Sequence, residues 1–221
     1  MKKQKEIFLS SEGNAWYQRN KQAIENKETD CIINCISELN LLPKNILEIG
    51  CSNGYRLNEL NKKYSSNCFG VDPSLEAIDE GKLFFDKISL SQGTADSLDF
   101  NDNKFDLVIL GFCLYVCDRN DLFKIASEVD RVLSDKGFII ILDFGPPFPY
   151  KNNYKYMDGV FSYKMDYSAL FKWNPNYFMI YSRILAHEIF SSIYNPNERV
   201  LLSILSKDAN SGYPNNPFSN I

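Results

Sequence analysis

The sequence predicts an α/β fold: a doubly wound, mostly parallel sheet with helices on both faces. Three observations carry that expectation. From residue 45 onward, short apolar runs alternate with amphipathic stretches, the pattern of successive βαβ units. The first run, "NILEIG", closes on a glycine turn, "GCSNG". The fourth, "FDLVILGF", is apolar almost throughout, as a strand covered on both faces must be.

The elements follow in order. Residues 12–40 read as one helix, with Ile32, Ile33, Ile36 and Leu39 at helical spacing and Pro43 closing the segment. "NILEIG" is the first strand, "GYRLNELNKKY" the next helix and "NCFGVD" the second strand. Pro73 and Ser74 open a helix that runs to Phe85, and "ISLSQG" and "FDLVILGF" are strands three and four. In "DRNDLFKIASEVDRVLSDKG", Leu122, Ile125, Val129, Val132 and Leu133 share a helical face, with Asp118 or Asn120 as cap and Gly137 as stop. "GFIIILDF" is a fifth strand. "NYFMIYSRILAHEIF" and "RVLLSILSK" are two more, joined by a hairpin at "SSIYNPNE". The expected organisation is one domain: a helical cover (1–42), a sheet core (43–144), an aromatic insertion (145–176), terminal strands (177–207) and a polar tail (208–221).

Composition narrows the function. The 221 residues carry a net charge of −4 with no long basic run, which argues against a dedicated nucleic-acid surface. The longest apolar segment, Leu107 to Cys117, is too short to span a membrane. Ile7 to Leu9 is too short for a signal-peptide core. The expectation is a cytoplasmic protein with reduced thiols. Cys31 and Cys35, and Cys113 and Cys117, are four apart rather than at the two-residue gap common in zinc sites. They read as buried apolar side chains, and no metal is expected.

In a doubly wound sheet, ligands bind beyond the carboxyl ends of the strands. Those ends offer Glu48, Gly50, Cys51, Ser52 and Gly54 after strand one, Asp72 and Pro73 after strand two, and Ala95 and Asp96 after strand three. Glycines let the backbone turn tightly against a ligand. Asp72, 22 residues after Gly50, is placed to accept from ribose hydroxyls, and Asp96 from an adenine amino group. In this order the set fits a nucleoside-bearing cofactor. A dinucleotide fingerprint would need glycines at 50, 52 and 55, where the chain has Gly50, Ser52 and Tyr55. Glu48 would also repel a pyrophosphate, whereas a cationic end suits it.

Residues 40–145 resemble the class I S-adenosylmethionine-dependent methyltransferases. Their signature E/D-x-G-x-G-x-G aligns with Glu48 to Gly54, and "GVDPS", "GTADSLDF", "FDLVILGFCLYV" and "VLSDKGFIIILD" resemble the motifs that follow. "EGNAWYQRN" resembles a cover segment of some bacterial members. The resemblance implies a seven-stranded sheet with the last strand antiparallel. It implies S-adenosylmethionine as cofactor and S-adenosylhomocysteine as product. Glu48 would face the methionine amino group directly or through water, residues 50–54 would wrap the methionine and ribose, and Asp72 would hold the ribose. Ala95 and Asp96 would read adenine, while Phe112 and Leu114 would line the transfer site. Trp16, Tyr17 and Arg19 either close the cofactor site or anchor the first helix. Ser52 departs from the signature at its middle glycine, for which altered affinity rather than loss of the site is expected.

Methyl transfer is an in-line displacement in which the protein mainly positions the nucleophile. Candidate catalytic groups are Tyr115, Asp143 and His187, the single histidine. Nine of the 32 residues in 145–176 are aromatic, and this insertion is expected to hold a small-molecule acceptor, with no nucleic-acid or membrane partner. The expected reaction methylates an N or O atom of a polar small molecule. "DYSALFKWNPNYFMIY" resembles methyltransferases of bacterial surface-glycan pathways, which makes a sugar or nucleotide-sugar the named candidate. The alternative is a non-catalytic S-adenosylmethionine-binding or scaffold protein of the same fold.

Overall fold

A computed structural model describes residues 3–25, 30–187, 192–216 and 218. Its sheet runs in the order β3-β2-β1-β4-β5-β9-β8. The strands are β1 (Asn45–Ile49), β2 (Asn67–Asp72), β3 (Ile88–Gln92), β4 (Phe105–Gly111), β5 (Leu133–Phe144), β8 (Tyr177–Ala186) and β9 (Arg199–Lys207). The first five are parallel, and β9 lies antiparallel to both neighbours, β5 and β8. The last strand is therefore inserted between β5 and β8 rather than added at the edge.

Period-two alternation splits the apolar strands between two faces. Val108, Leu110, Ile139 and Ile141 pack with Ile125, Val129 and Val132 of α6 (Leu122–Val132). Leu107, Ile109, Ile140 and Leu142 face the other way, against Ile32 and Ile36 of α3 (Cys31–Glu38) and Leu57 and Leu60 of α4 (Tyr55–Tyr64). The remaining helix between strands is α5 (Leu75–Phe84), capped by the Ser74 hydroxyl.

Three boundaries differ from the sequence expectation. The single helix over 12–40 is two, α2 (Gly13–Glu25) and α3, and Asp30 caps the second by accepting from the backbone of Ile32 and Ile33. Helical periodicity continues across the break, so spacing alone does not reveal it; residues 26–29 lie outside the described residues. The helix after β4 ends at Val132, not Gly137, because Leu133 is already extended, at φ −82° and ψ 126°, and pairs with Phe105 of β4. Neither Asp118 nor Asn120 caps it. A short 3-10 turn, Arg119–Asp121, precedes it, and the Asp118 carboxylate instead accepts the backbone N–H groups of Gln4 and Lys5. The predicted hairpin at 191–198 falls partly outside the described residues.

The N-terminal cover consists of α1 (Gln4–Ile7), a π-helical turn (Phe8–Glu12) and α2. Residues 145–176 fold as a second small sheet, β6 (Tyr150–Asn153) paired antiparallel with β7 (Phe161–Lys164), followed by α7 (Ala169–Lys172). The tail is anchored by α8 (Ala209–Gly212), with the Ala209 N–H on Asp135.

Candidate functional site

The chain passes from β3 across β2 and β1 to β4, so the loops after β1 and β4 diverge and leave a crevice at the switch point. That cleft holds ≈ 870 Å³ of empty space, including its open mouth. It brings together Gly50, Asp72, Pro73, Ala95, Asp96, Phe112 and Tyr115 from the sequence candidates.

The glycine turn explains its own signature. Gly50, Ser52 and Gly54 adopt φ of 76°, 53° and 79°, so the three alternate positions of the motif are the three left-handed ones. A Cβ on Gly50 would lie 2.6 Å from Cys113 Cβ, because the turn touches the loop after β4. Ser52 holds the left-handed backbone despite its side chain. Its hydroxyl is buried without a hydrogen-bond partner among the described residues.

Asp72 accepts the N–H of Ser52 and of Ser74, each at 2.8 Å, one on each carboxylate oxygen. Burial outweighs these bonds and pushes its carboxyl up to about 6. Each oxygen retains a second lone pair, which suits two vicinal hydroxyls. Asp96 is differently engaged: Thr94 donates to one oxygen at 2.7 Å, and Lys5 and Lys124 pair with the other. Burial pushes this carboxyl up, but the Lys5 and Thr94 bonds prevail and hold it below the usual range. Lys5 also reaches Asp121 at 2.9 Å.

Other candidates stand behind the wall. Glu48 is 1% exposed and paired with Arg56, which also holds Asp30. A Cβ on Gly111 would lie 3.0 Å from that guanidinium, so the pair sits one glycine deep. Cys51 packs on Gly70, and Gly54 on Ile88 and Leu90. Leu114 is core. Tyr17 is buried, accepting from Asn53 at 3.2 Å. Arg19 pairs with Glu12 and lies 4.0 Å over the Tyr156 ring.

On the acceptor side, Tyr115 and Trp16 both line the cleft. Burial, reinforced by Asp143, raises the Tyr115 phenol far above its ordinary value, so it is a hydrogen-bond donor at neutral pH, not a base. Asp143 is off the cleft. Its carboxylate accepts the N–H groups of Leu114, Tyr115 and Phe144 at 3.0, 3.2 and 2.8 Å. Burial still pushes it up to about 7. It fixes the turn that carries Tyr115. His187 is exposed after β8, 5.4 Å from Phe112 and 5.0 Å from Phe144 by ring centroids, with Glu198 3.5 Å from Nδ1.

Lys5, Phe8 and Gly13 also line the cleft. Nothing local marks Lys5 or Phe8 in the sequence, since α1 is only four residues long and Lys5 lies in an ordinary basic opening, whereas Gly13 falls within the "EGNAWYQRN" segment singled out above. Gly111, another wall residue, had a signal in the glycine that ends the apolar run "VILG".

Residues 47–141 match the methyltransferase domain family. Over those residues, less than half of the chain, the sequence is that of a methyltransferase domain, and the fold is that of the class I S-adenosylmethionine-dependent methyltransferases. The cofactor of this domain is S-adenosylmethionine. The chain is 31% identical over 108 residues to the uncharacterized methyltransferase YcgJ of Bacillus subtilis, covering 46% of this chain and 41% of that protein. It is 32% identical over 109 residues to norajmaline N-methyltransferase of Rauvolfia serpentina, covering 46% and 36%. It thus spans well under half the length of these relatives. The fold is similar to that of the 1,6-didemethyltoxoflavin-N1-methyltransferase of Burkholderia thailandensis, solved with its substrate and S-adenosylhomocysteine. That TM-score is 0.68 at 14% identity, over 91% of this chain and 88% of the other. A methyltransferase of Methanosarcina mazei gives 0.65 at 18% identity, over 82% and 99%.

The methyltransferase domain's own geometry fits this cofactor. Asp72 keeps two free acceptor positions, and Gly50 leaves a recess against Cys113 that a Cβ would fill. Val71, Pro73, Ala95 and Ile125 supply apolar wall for a base. Among the described residues, no three His, Cys, Asp or Glu side chains are grouped to hold a metal, and no helix is long and apolar enough to cross a membrane.

Proposed function

We propose that the protein transfers a methyl group from S-adenosylmethionine to an N or O atom of a polar small molecule. The observation that carries this reading is one cleft lined by Asp72, by Gly50 of the left-handed turn, and by Tyr115 and Trp16. The cofactor supplies an electrophilic methyl on a sulfonium and leaves as S-adenosylhomocysteine. The chain's part is to hold and orient. Asp72 takes the ribose hydroxyls, residues 50–54 take the methionine and ribose by their backbone, and Ala95 with Asp96 borders the adenine. Tyr115 donates to the acceptor, and the loop stays in place through Asp143. His187, oriented by Glu198, is the group suited to take a proton from a hydroxyl acceptor. A neutral amine needs no such base.

Two relatives named above are N-methyltransferases, which supports nitrogen as the acceptor atom. The tyrosines and lysines of 145–176 suit a polar ring by stacking and hydrogen bonding. Amino sugars and nucleotide-sugars are therefore the first class to test. Calorimetry with S-adenosylmethionine and S-adenosylhomocysteine tests the cofactor, and transfer of a labelled methyl to amino sugars, nucleotide-sugars and nitrogen heteroaromatics tests the acceptor. Tight NAD binding with neither sulfur cofactor bound would sink the reading. Binding without transfer to any acceptor would favour the non-catalytic alternative.

A further inference from the structure

Gln4 is 6% exposed, and its side-chain amide is fully used. Nε2 donates to the carbonyls of Val116 at 2.7 Å and Phe161 at 3.1 Å, while Oε1 accepts the Phe161 N–H at 2.8 Å. Phe161 begins β7 of the acceptor insertion, and Val116 ends the three-residue turn that carries Tyr115. The same short helix sends Lys5 into the cleft to Asp96 and Asp121, and Phe8 packs on Tyr154 with ring centroids 6.0 Å apart. One segment therefore touches the Asp96 end of the cleft, the Tyr115 turn and the insertion.

We propose that Gln4 is a positioning residue that couples the cofactor cover to the acceptor insertion, so that cofactor binding sets the Tyr115 turn and the β6–β7 hairpin together. This rests on the cofactor reading above. An amide is suited to the task because it donates and accepts at once; a carboxylate keeps only the acceptor and an apolar side chain keeps neither. The backbone N–H groups of Gln4 and Lys5 on Asp118, and Lys5 on Asp96 and Asp121, survive replacement of the Gln4 side chain. The cover then still closes on the cofactor but no longer grips the hairpin.

Amide hydrogen exchange on the full chain, with and without S-adenosylhomocysteine, reads the coupling. In the wild type the ligand should slow exchange about tenfold both at residues 50–54 and across 150–164. Gln4→Met should keep the first protection and lose the second, and Gln4→Glu should lose part of it. If Gln4→Met does not fold, judged by its melting curve, Gln4→Glu carries the test. A merely structural role would lower the melting temperature and leave ligand-induced protection of the hairpin unchanged in whichever variant folds; that result overturns the proposal. A wild-type hairpin indifferent to ligand, with 50–54 protected, overturns the coupling and leaves the cofactor reading intact. No calorimetric binding of S-adenosylhomocysteine overturns both.

Discussion

The two ends of the cleft are held by different kinds of contact. At the glycine turn and Asp72, the contacts are backbone conformations and a carboxylate held by backbone N–H groups, all within residues 48–74. At the acceptor end, side chains join segments far apart in sequence: Gln4 with Phe161, Glu12 with Tyr154, Arg119 with Tyr167. A turn at a strand end is fixed by the sheet that precedes it, so its geometry tolerates little change. A junction of side chains can be rebuilt around a different acceptor while the sheet stays the same. The comparison therefore separates a part of the cleft set by local backbone from a part set by long-range side-chain contacts.

The sharpest way to break the cofactor end is Gly50→Ala. The new methyl would meet Cys113 Cβ at 2.6 Å on a backbone at φ 76°, so strain and overlap together should cost about 2–4 kcal/mol. The expected result is a clearly lower melting temperature and loss of S-adenosylhomocysteine binding by calorimetry. A variant that binds normally would show that the turn is not clamped against the loop after β4.

Asp72 should give the next largest effect. Asp72→Ala should weaken S-adenosylhomocysteine by about 1–3 kcal/mol, through loss of hydrogen bonds to a charged acceptor. The pH dependence has a definite sign. The free carboxyl titrates at about 6, and ribose donors favour its charged form. Affinity should be level above pH 6 and fall by up to about tenfold per pH unit below it. Asp72→Asn should flatten that slope. An unchanged pH profile in this variant would assign the titration to another group.

Much of the cofactor end was legible because it depends on spacing along one stretch of chain. Glycine and aspartate positions after strands one to three, taken in order, place the turn, Asp72 and Asp96 at one sheet edge. The same reasoning put Glu48 at the ligand, whereas the structure pairs it with Arg56 behind Gly111. That ion pair joins β1 to α4, and sequence spacing says nothing about which side a buried charge faces. The acceptor end was legible only as an aromatic excess in 145–176. Two of its organising contacts, Gln4 with Phe161 and Glu12 with Tyr154, cross more than a hundred residues, and a four-residue helix carrying Gln4 and Lys5 has no periodicity to detect. The split of residues 12–40 escaped for a related reason, since Asp30 is a good cap inside a pattern that otherwise continues.

Tyr115→Phe separates the two ends directly. Its phenol is neutral and lines the cleft, so removing it should lower kcat by about tenfold through loss of one acceptor contact. The calorimetric affinity for S-adenosylhomocysteine should change less than about twofold. Equal losses in both measurements would place the phenol on the cofactor instead.

Ser52→Gly should give the smallest effect, and in the favourable direction. Serine at φ 53° occupies a region where glycine has no steric penalty, at a cost of about 1 kcal/mol. Its buried hydroxyl, without a partner among the described residues, adds a desolvation cost of about 1–3 kcal/mol. Glycine forfeits about 0.5–1 kcal/mol of that gain through the greater freedom of its unfolded chain. The balance favours glycine by about 1 kcal/mol or more, read as a melting temperature a few degrees higher. The N–H on Asp72 is a backbone group and is kept, so affinity for S-adenosylhomocysteine should hold or improve slightly. A lower melting temperature, or weaker binding at unchanged stability, would mean that the Ser52 hydroxyl has a partner in solution. The departure from the three-glycine signature would then be a contact rather than a strain.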